Sequence, residues 1–323
     1  TIFNNSIVAS SNSSYAIYAY LSSSMTTIAK NNINWTGTDA AGIYIEFSSY
    51  NTISNNTLNS SGTTGAAIVI TGSGGVNSHY NRIFNNSIHV TSNDAIVADP
   101  NNNNNTILKN KILVTTSSGI RINGDNNNIT QNYVNATGSG AGISINSAND
   151  NNIIDGNIVE VGSSGIYIGA GCNSNYVINN AVRGASAFIM AGSSNIVINN
   201  TFNVTIADSH AITFGGGSTN NTFYNITARV AIGGVGYALN LNDAHLNFTI
   251  RDSILQGVSG DLFVKDAVNG GTWNFTNVTN STNNAFNINW SVNANGTLNV
   301  HWYLDANATY SNGTAANQAN VSA

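Results

Sequence analysis

Two short motifs recur in phase along almost the whole chain, and this periodicity limits the possible folds more than any other feature. The first is a brief apolar strand, often opened by glycine or alanine. It reads AIYA at 16–19, GIYI at 42–45, AIVI at 67–70, AIVA at 95–98, GIRI at 119–122, GISI at 142–145 and GIYI at 165–168. It continues as AFIM at 187–190, AITF at 211–214, ALNL at 238–241, DLFV at 261–264 and AFNI at 285–288. These twelve occurrences lie 22 to 28 residues apart. The second motif, apolar-x-x-Asn-x-apolar, falls between them nine times, centred on Asn5, Asn31, Asn56, Asn86, Asn110, Asn132, Asn157, Asn180 and Asn200. It frays afterwards: Ser253 stands in the asparagine position between Ile250 and Leu255.

Short strands repeated about every two dozen residues, joined by Asn, Gly and Ser turns, have the period of a parallel β-solenoid. A leucine-rich repeat has a similar length but needs Leu at its fixed positions, which Ile and Val hold here. Each turn of chain would lay its strands about 4.8 Å above the last, so that equivalent residues form columns. Inward Ile columns fill the core. The nine asparagines read as a structural ladder, each side-chain amide bonding the one above it.

Composition agrees and closes off other classes. The chain of 323 residues holds 61 Asn, 36 Ser and 30 Thr, but only 7% charged residues, with 36 Ile against 11 Leu and only 2 Glu and 4 Lys. A helical surface is built from Glu, Lys, Leu and Ala, so a helical protein is excluded. Nine Lys and Arg scattered through a chain of net charge −5 give no footprint for nucleic acid. The longest apolar run, AAIVI at 66–70, is far short of a membrane span. Asn-rich tracts are often disordered, yet 41% apolar residues in regular alternation can bury a core. The single cysteine, Cys172, allows no internal disulfide. No cofactor is implied. The sequence lacks an initiating methionine and a signal sequence, so it is expected to be processed or part of a longer chain.

The GIxI and NxIxxNxI coils resemble the right-handed parallel β-helix repeats of the pectin-lyase-like superfamily, particularly NosD-like repeat proteins and archaeal cell-surface glycoproteins. The resemblance covers about residues 1–290 and implies an all-β, single-stranded right-handed parallel β-helix of about twelve coils. It says little about activity, because that superfamily includes lyases, hydrolases, epimerases, adhesins and structural coats. From 291 to 323 the text changes to period-two alternation and then to small polar residues. This segment resembles the first strands of a β-sandwich module that follows such helices, or a connecting segment between subunits. Phe286, Ile288 and Trp290, then Val300, Trp302 and Leu304, are expected to cover the core. A chain opening in mid-coil at TIFNNSI and closing on a partial module is expected to self-associate, end to end or by strand addition.

Asn-x-Ser/Thr occurs 22 times, nearly twice what composition alone gives. Some sequons arise from the ladder motif itself, where an asparagine precedes the ladder residue: Asn4, Asn55, Asn85 and Asn199. Strand alternation should turn these outward. Others are Asn12, Asn34, Asn59, Asn104, Asn128, Asn135, Asn203, Asn220, Asn225 and Asn247. Eight more, Asn274, Asn277, Asn280, Asn289, Asn295, Asn307, Asn312 and Asn320, crowd the C-terminal end. Covalent N-glycans at such sites would supply the solubility that so few charges cannot.

Reactive groups are sparse. Aligning the coils puts Glu46, Thr71, Asp99, Asn123 and Asn146 in one outward column with Arg121 beside it. Glu46 and Asp99 would then lie two coils apart, about 9–10 Å, near the spacing of an inverting glycosidase pair. Asp243 and Asp266, near Lys265, would be about 5 Å apart and suited to a cation. The superfamily's polygalacturonase, pectate lyase and epimerase motifs are missing: Asp99-Pro100 is followed by Asn101 where the epimerase motif has His. His79, His89, His210, His245 and His301 are dispersed. Tyr18, Tyr44 and Tyr167 alternate with inward residues and should face outward, where tyrosine can stack on sugars. These observations favour a structural, exported, N-glycosylated surface protein, the repeating subunit of an extracellular filament, sheath or coat. The alternative is a polysaccharide-active enzyme or carbohydrate-binding adhesin on the same scaffold; a trimeric tail spike is a further class.

Overall fold

The computed structural model describes residues 1–303 apart from 22, 62–64, 74, 147, 232, 243–245, 266–268 and 281–285. It is a parallel β-solenoid of about eleven turns, with strands on three faces and no helix among the described residues. A typical turn runs Thr27–Ala29, Asn32–Trp35, Ala41–Glu46, and the next repeats it with Thr52–Ser54, Thr57–Ser60, Ile68–Thr71. Every strand pairing is parallel and nearly all are in register; on the first face Ile28 lies under Ile53, Ile53 under Ile83 and Ile83 under Ile107. The third face is one continuous sheet of twelve strands from Tyr15–Tyr20 to Ile288–Trp290. Eleven steps of strand spacing make the stack roughly 50 Å tall.

The alternation of side chains across each strand sends one column per face into a common core, where Ile33, Ile43, Ile53 and their successors are fully buried. From Phe188 onward aromatic rings join isoleucine in the core; Phe188 stacks on Phe202 at 4.9 Å and Phe214 on Phe248 at 4.5 Å. The glycine that opens many third-face strands is required by packing. A Cβ on Gly165 would meet Val182 Cγ1 at 2.1 Å, and one on Gly142 would meet Val159 Cγ1 at 2.3 Å.

Two corners of each turn share one device. A residue in the left-handed region is followed by a buried asparagine. Between the first and second faces the left-handed column runs Lys30, Asn55, Asn85, Lys109, Gln131, Gly156, Asn179 and Asn199, with φ from 54° to 64°. The chain bends away from its neighbour there, and the following asparagine repairs the lost backbone pairing. The Asn31 amide N–H donates to Asn56 Oδ1 at 2.9 Å, Asn56 to Asn86 at 3.0 Å and Asn86 to Asn110 at 3.0 Å. From Asn31 to Asn200 each Nδ2 donates to a backbone carbonyl of the turn before, as Asn86 does to Ile53 at 3.0 Å. The column joins all nine asparagines from Asn5 to Asn200. Ile226 then takes the position, and its N–H donates to Ser253 Oγ at 3.0 Å.

The corner between the third and first faces holds a second ladder that the sequence reading did not single out. Asn51, Asn81, Asn105, Asn127, Asn152, Asn175, Asn195 and Asn221 are bonded in the same way, at 2.8–2.9 Å from N–H to Oδ1. Its signal is an asparagine five residues before each member of the first ladder from Asn56 to Asn200, as in Asn51 and Asn56 or Asn81 and Asn86.

Beyond residue 290 the coil continues. Ile288–Trp290 pairs with the third sheet, and Asn295–His301 runs parallel to Asn269–Thr279, with Leu298 over Trp273 and Val300 over Phe275. As far as His301 these residues keep the spacing of the stack below; residues 304–323, with Leu304 and most of the segment expected to be sandwich-like, lie outside the described residues. Phe286, Ile288 and Leu298 pack against the core, whereas Trp290, Val300 and Trp302 are exposed. No helix among the described residues is long and apolar enough to cross a membrane.

Candidate functional site

Aromatic side chains collect on the outer side of the third face in the first two turns. Parallel register sets Tyr18 beside Tyr44 and Tyr20 beside Glu46. Tyr15 stacks on Tyr44 with ring centroids 4.1 Å apart and 16° between planes, and Tyr18 sits 5.1 Å from Tyr15 and 5.2 Å from Tyr20. Phe47 closes the group against Tyr20 at 5.7 Å. Tyr15, Tyr18 and Tyr20 are 37%, 46% and 42% exposed, so the cluster is an open platform rather than core.

The Tyr18 hydroxyl donates to Glu46 Oε2. Desolvation by the packed rings, then the bond to Glu46 and its charge, push Tyr18 far above the usual tyrosine range, so it stays a donor. Desolvation also pushes Tyr44 up to about 12, helped by Tyr15 and by the charge of Glu46.

Glu46 is in register with Thr71. The Asp99 N–H donates to the Ile70 carbonyl, Asn123 to Ala98 and Asn146 to Ile122, which carries the same row through Asp99, Asn123 and Asn146. Glu46 and Asp99 are thus two strand steps apart with Thr71 between them. Beyond Thr71, the residues Gly72, Ser73, Gly75 and Asn77 enclose, with Asp99, Asn101, Asn103 and His79, a hollow of about 670 Å³. His79 Nδ1 accepts the Asn103 N–H at 3.0 Å, which leaves Nε2 to carry the proton of the neutral ring. At the same corner Tyr50 and Tyr80 stack at 5.0 Å and are 55% and 51% exposed.

Arg121, beside that row, is paired with a carboxylate outside it. Its Nε donates to Asp94 Oδ2 at 2.6 Å, and Asp94 Oδ1 also accepts from Ser117 Oγ at 2.6 Å and the Ser118 N–H at 2.9 Å. The guanidinium is held by a corner carboxylate. Asp243 and Asp266 lie outside the described residues. Among the described residues no three His, Cys, Asp or Glu side chains form a metal-binding group. His210 Nδ1 accepts the Tyr237 N–H at 3.2 Å, and burial pushes its pKa down. Cys172 is fully buried, which raises its thiol. Tyr167 is half-buried on the same sheet as Tyr44, outside the cluster.

The sequons and the ladders divide by exposure. Ladder asparagines from Asn31 onward are buried. Of the sequon asparagines among the described residues none is buried: Asn4, Asn12, Asn55, Asn85, Asn199, Asn220, Asn225, Asn247, Asn289 and Asn295 are exposed. Asn34, Asn59, Asn104, Asn128, Asn135, Asn203, Asn274, Asn277 and Asn280 are half-buried. Asn307, Asn312 and Asn320 lie outside the described residues.

The family of the right-handed β-helix region matches over residues 16–182. Among solved structures, the chain superposes on the A-module of the mannuronan C-5 epimerase AlgE6 of Azotobacter vinelandii with a TM-score of 0.57. The two are 12% identical over 93% of this chain and 91% of that one. It also superposes on the tailspike protein of Escherichia coli bacteriophage HK620, solved in complex with a hexasaccharide, with a TM-score of 0.53 and 13% identity over 84% of this chain. The chain spans 59% of the tailspike's length. A third match is the periplasmic alginate epimerase AlgG, with a TM-score of 0.50 and 13% identity over 86% of this chain and 73% of that one. At such identities the likeness is one of fold. No curated protein sequence matches the chain.

Proposed function

The chain belongs to the right-handed parallel β-helix family, and we propose that it is an exported protein that recognises a polysaccharide on the outer side of its third sheet without cleaving it. The observation that carries this reading is the open platform of Tyr15, Tyr18, Tyr20 and Tyr44 beside Glu46. Tyrosine rings stack on the apolar faces of sugars, and their hydroxyls hydrogen-bond the rims. Glu46, held by Tyr18, is placed to accept from sugar hydroxyls, and the hollow beside Asp99 extends the surface by two strand steps. Recognition is favoured over cleavage because Glu46 is engaged by Tyr18, and Arg121, the cation beside this part of the row, is engaged by Asp94. The superposable tailspike was solved with a hexasaccharide, and the two epimerases are named for mannuronan and alginate, which fits a scaffold used on glycans. AlgG is periplasmic, which fits export.

Affinity electrophoresis against a panel of polysaccharides tests this. The Tyr18→Ala, Tyr44→Ala double variant is expected to lose about tenfold or more in affinity, the equivalent of one or two lost stacking contacts. Equal retardation of variant and wild type on every ligand overturns the reading. Product formation that vanishes in Glu46→Gln replaces it with a lyase or hydrolase.

A surface role accompanies this reading, supported by the segregation of sequons to exposed and half-exposed positions. N-glycans are assigned first to the exposed corner residues Asn4, Asn55, Asn85, Asn199 and Asn225. Strand spacing of about 4.8 Å leaves no room for glycans on adjacent turns, so Asn55 and Asn85 exclude one another. Intact mass spectrometry of material from the native source reads the sugar load directly. End-to-end stacking of solenoids into a filament, sheath or coat belongs to the same role; electron micrographs showing only discrete monomers overturn it.

A further inference from the structure

The second face carries a surface of its own, apart from the tyrosine platform of the third. Its outward positions form two rows. One runs Ser87, Lys111, Tyr133, Ile158, Ala181, Thr201 and Thr227; the other runs His89, Leu113, Asn135, Glu160, Arg183, Asn203, Arg229 and Gln256. Lys109 stands at the corner beside the first row. Lys111, Arg183 and Arg229 share these two rows with a single carboxylate, Glu160, in a molecule of net charge −5, and Lys109 adds a cation at the corner, whose column also holds Lys30 and Asp252. Among the described residues no carboxylate lies within ion-pairing distance of Lys109, Lys111, Arg183 or Arg229. All four side chains are exposed.

The floor between these cations is suited to a ligand. A hollow of about 510 Å³ lies between Lys109, Lys111 and Tyr133, and another of about 390 Å³ between Asn135, Glu160 and Arg183. Tyr133 joins the two by donating its hydroxyl to Glu160 Oε2 at 2.6 Å. Ile158, 49% exposed, continues the apolar surface. This repeats the diagonal seen on the third face. Tyr18 pairs with Tyr44 and donates to Glu46, two residues further on; Tyr133 pairs with Ile158 and donates to Glu160, also two residues further on. The chain has only these two glutamates, and each is held by a tyrosine of the preceding turn.

We infer that the second face is a separate binding surface for a linear acidic polysaccharide of the uronate type, lying along the solenoid axis from Lys111 to Arg229. Those residues are five strand steps apart, about 24 Å, so the surface spans several sugars. The cations hold the carboxylates, Tyr133 and Ile158 underlie the rings, and the free oxygen of Glu160 accepts a sugar hydroxyl. Nucleic acid fits less well. Single-stranded nucleic acid is bound by stacking successive bases on a series of aromatic rings, and between Lys111 and Arg229 these rows offer one, Tyr133.

The probe is a hexamer of galacturonic acid, titrated calorimetrically against protein made in a host that does not glycosylate Asn135 or Asn203. Wild type is expected to bind, more weakly as salt rises. Arg183→Ala with Arg229→Ala is expected to weaken binding about tenfold or more. The carboxyl-reduced, neutral hexamer is expected to bind at least about tenfold more weakly. These side chains are exposed, so unchanged melting curves verify that the variants fold. No binding at millimolar hexamer, equal affinity of the arginine variant, or equal affinity of the neutral hexamer overturns the inference. Tighter binding of single-stranded DNA than of the hexamer assigns the face to nucleic acid and overturns it too. Tyr18→Ala with Tyr44→Ala separates this surface from the third-face site: it leaves hexamer binding intact, so either reading can fail alone.

Discussion

At the scale of single residues, the asparagines do two opposite jobs with one side chain. A ladder asparagine is buried and saturated. Asn86 Oδ1 accepts from the Asn56 N–H and from Asn56 Nδ2, both at 3.0 Å, while its own Nδ2 reaches the Ile53 carbonyl. Asn86→Ala therefore strands several buried polar groups at once, each worth about 1–3 kcal/mol. A loss of about 3–5 kcal/mol is expected, read as a lower guanidinium midpoint at constant slope. Asn5→Ala, at the exposed start of the same column, is expected to cost less than about 1 kcal/mol. The tyrosine platform makes a second residue-level prediction. Tyr44 titrates at about 12 in the folded protein, against about 10 for an unfolded tyrosine. A raised folded value favours the protonated form, so its contribution is complete below about pH 10 and is lost as pH rises through about 12. Ultraviolet titration should show a late tyrosinate step that Tyr44→Phe removes. An unchanged curve in that variant refutes the assignment.

At the scale of the strand and corner, what matters is that coil length varies while register does not. Successive ladder partners are 20 residues apart between Asn180 and Asn200 but 30 apart between Asn56 and Asn86. The extra residues fall between strands, as between Ile68–Thr71 and Arg82–Phe84, beside the hollow at Asp99. Removing residues 128–152, one full turn of 25 residues, brings Ile153 into register over Thr106 and keeps both ladders continuous. That deletion is expected to fold with β-rich circular dichroism and a cooperative melt. Removing 128–151 instead inserts one residue into a corner and is expected to melt lower. Equal melting of the two deletions would show that the corners do not fix the register.

Across the whole molecule, the columns could be read from the chain because a parallel solenoid converts equal phase in sequence into vertical contact. The Ile stripes, the ladder from Asn5 to Asn200 and the row Glu46, Thr71 and Asp99 all follow from that rule. The second ladder did not stand out because Asn is the commonest residue, and a recurrence among 61 of them is easily taken for composition. The left-handed corners were hidden for the opposite reason: Lys, Gln, Tyr and Gly share those positions with Asn, so no single residue type marks them. Arg121 was placed by phase, but its partner Asp94 lies in a connection of variable length, which phase does not describe. The gathering of Tyr15, Tyr20 and Phe47 around Tyr18 depends on side-chain directions across turns, which spacing alone does not give.

The constant rise of the stack also makes this molecule a ruler. Each turn is one graduation, and insertion or loss of a turn moves every mark above it by one unit without redrawing any of them. A lineage carrying such a chain can therefore lengthen or shorten its reach by unequal recombination alone, and size variants differing by whole graduations should be as soluble as their parent.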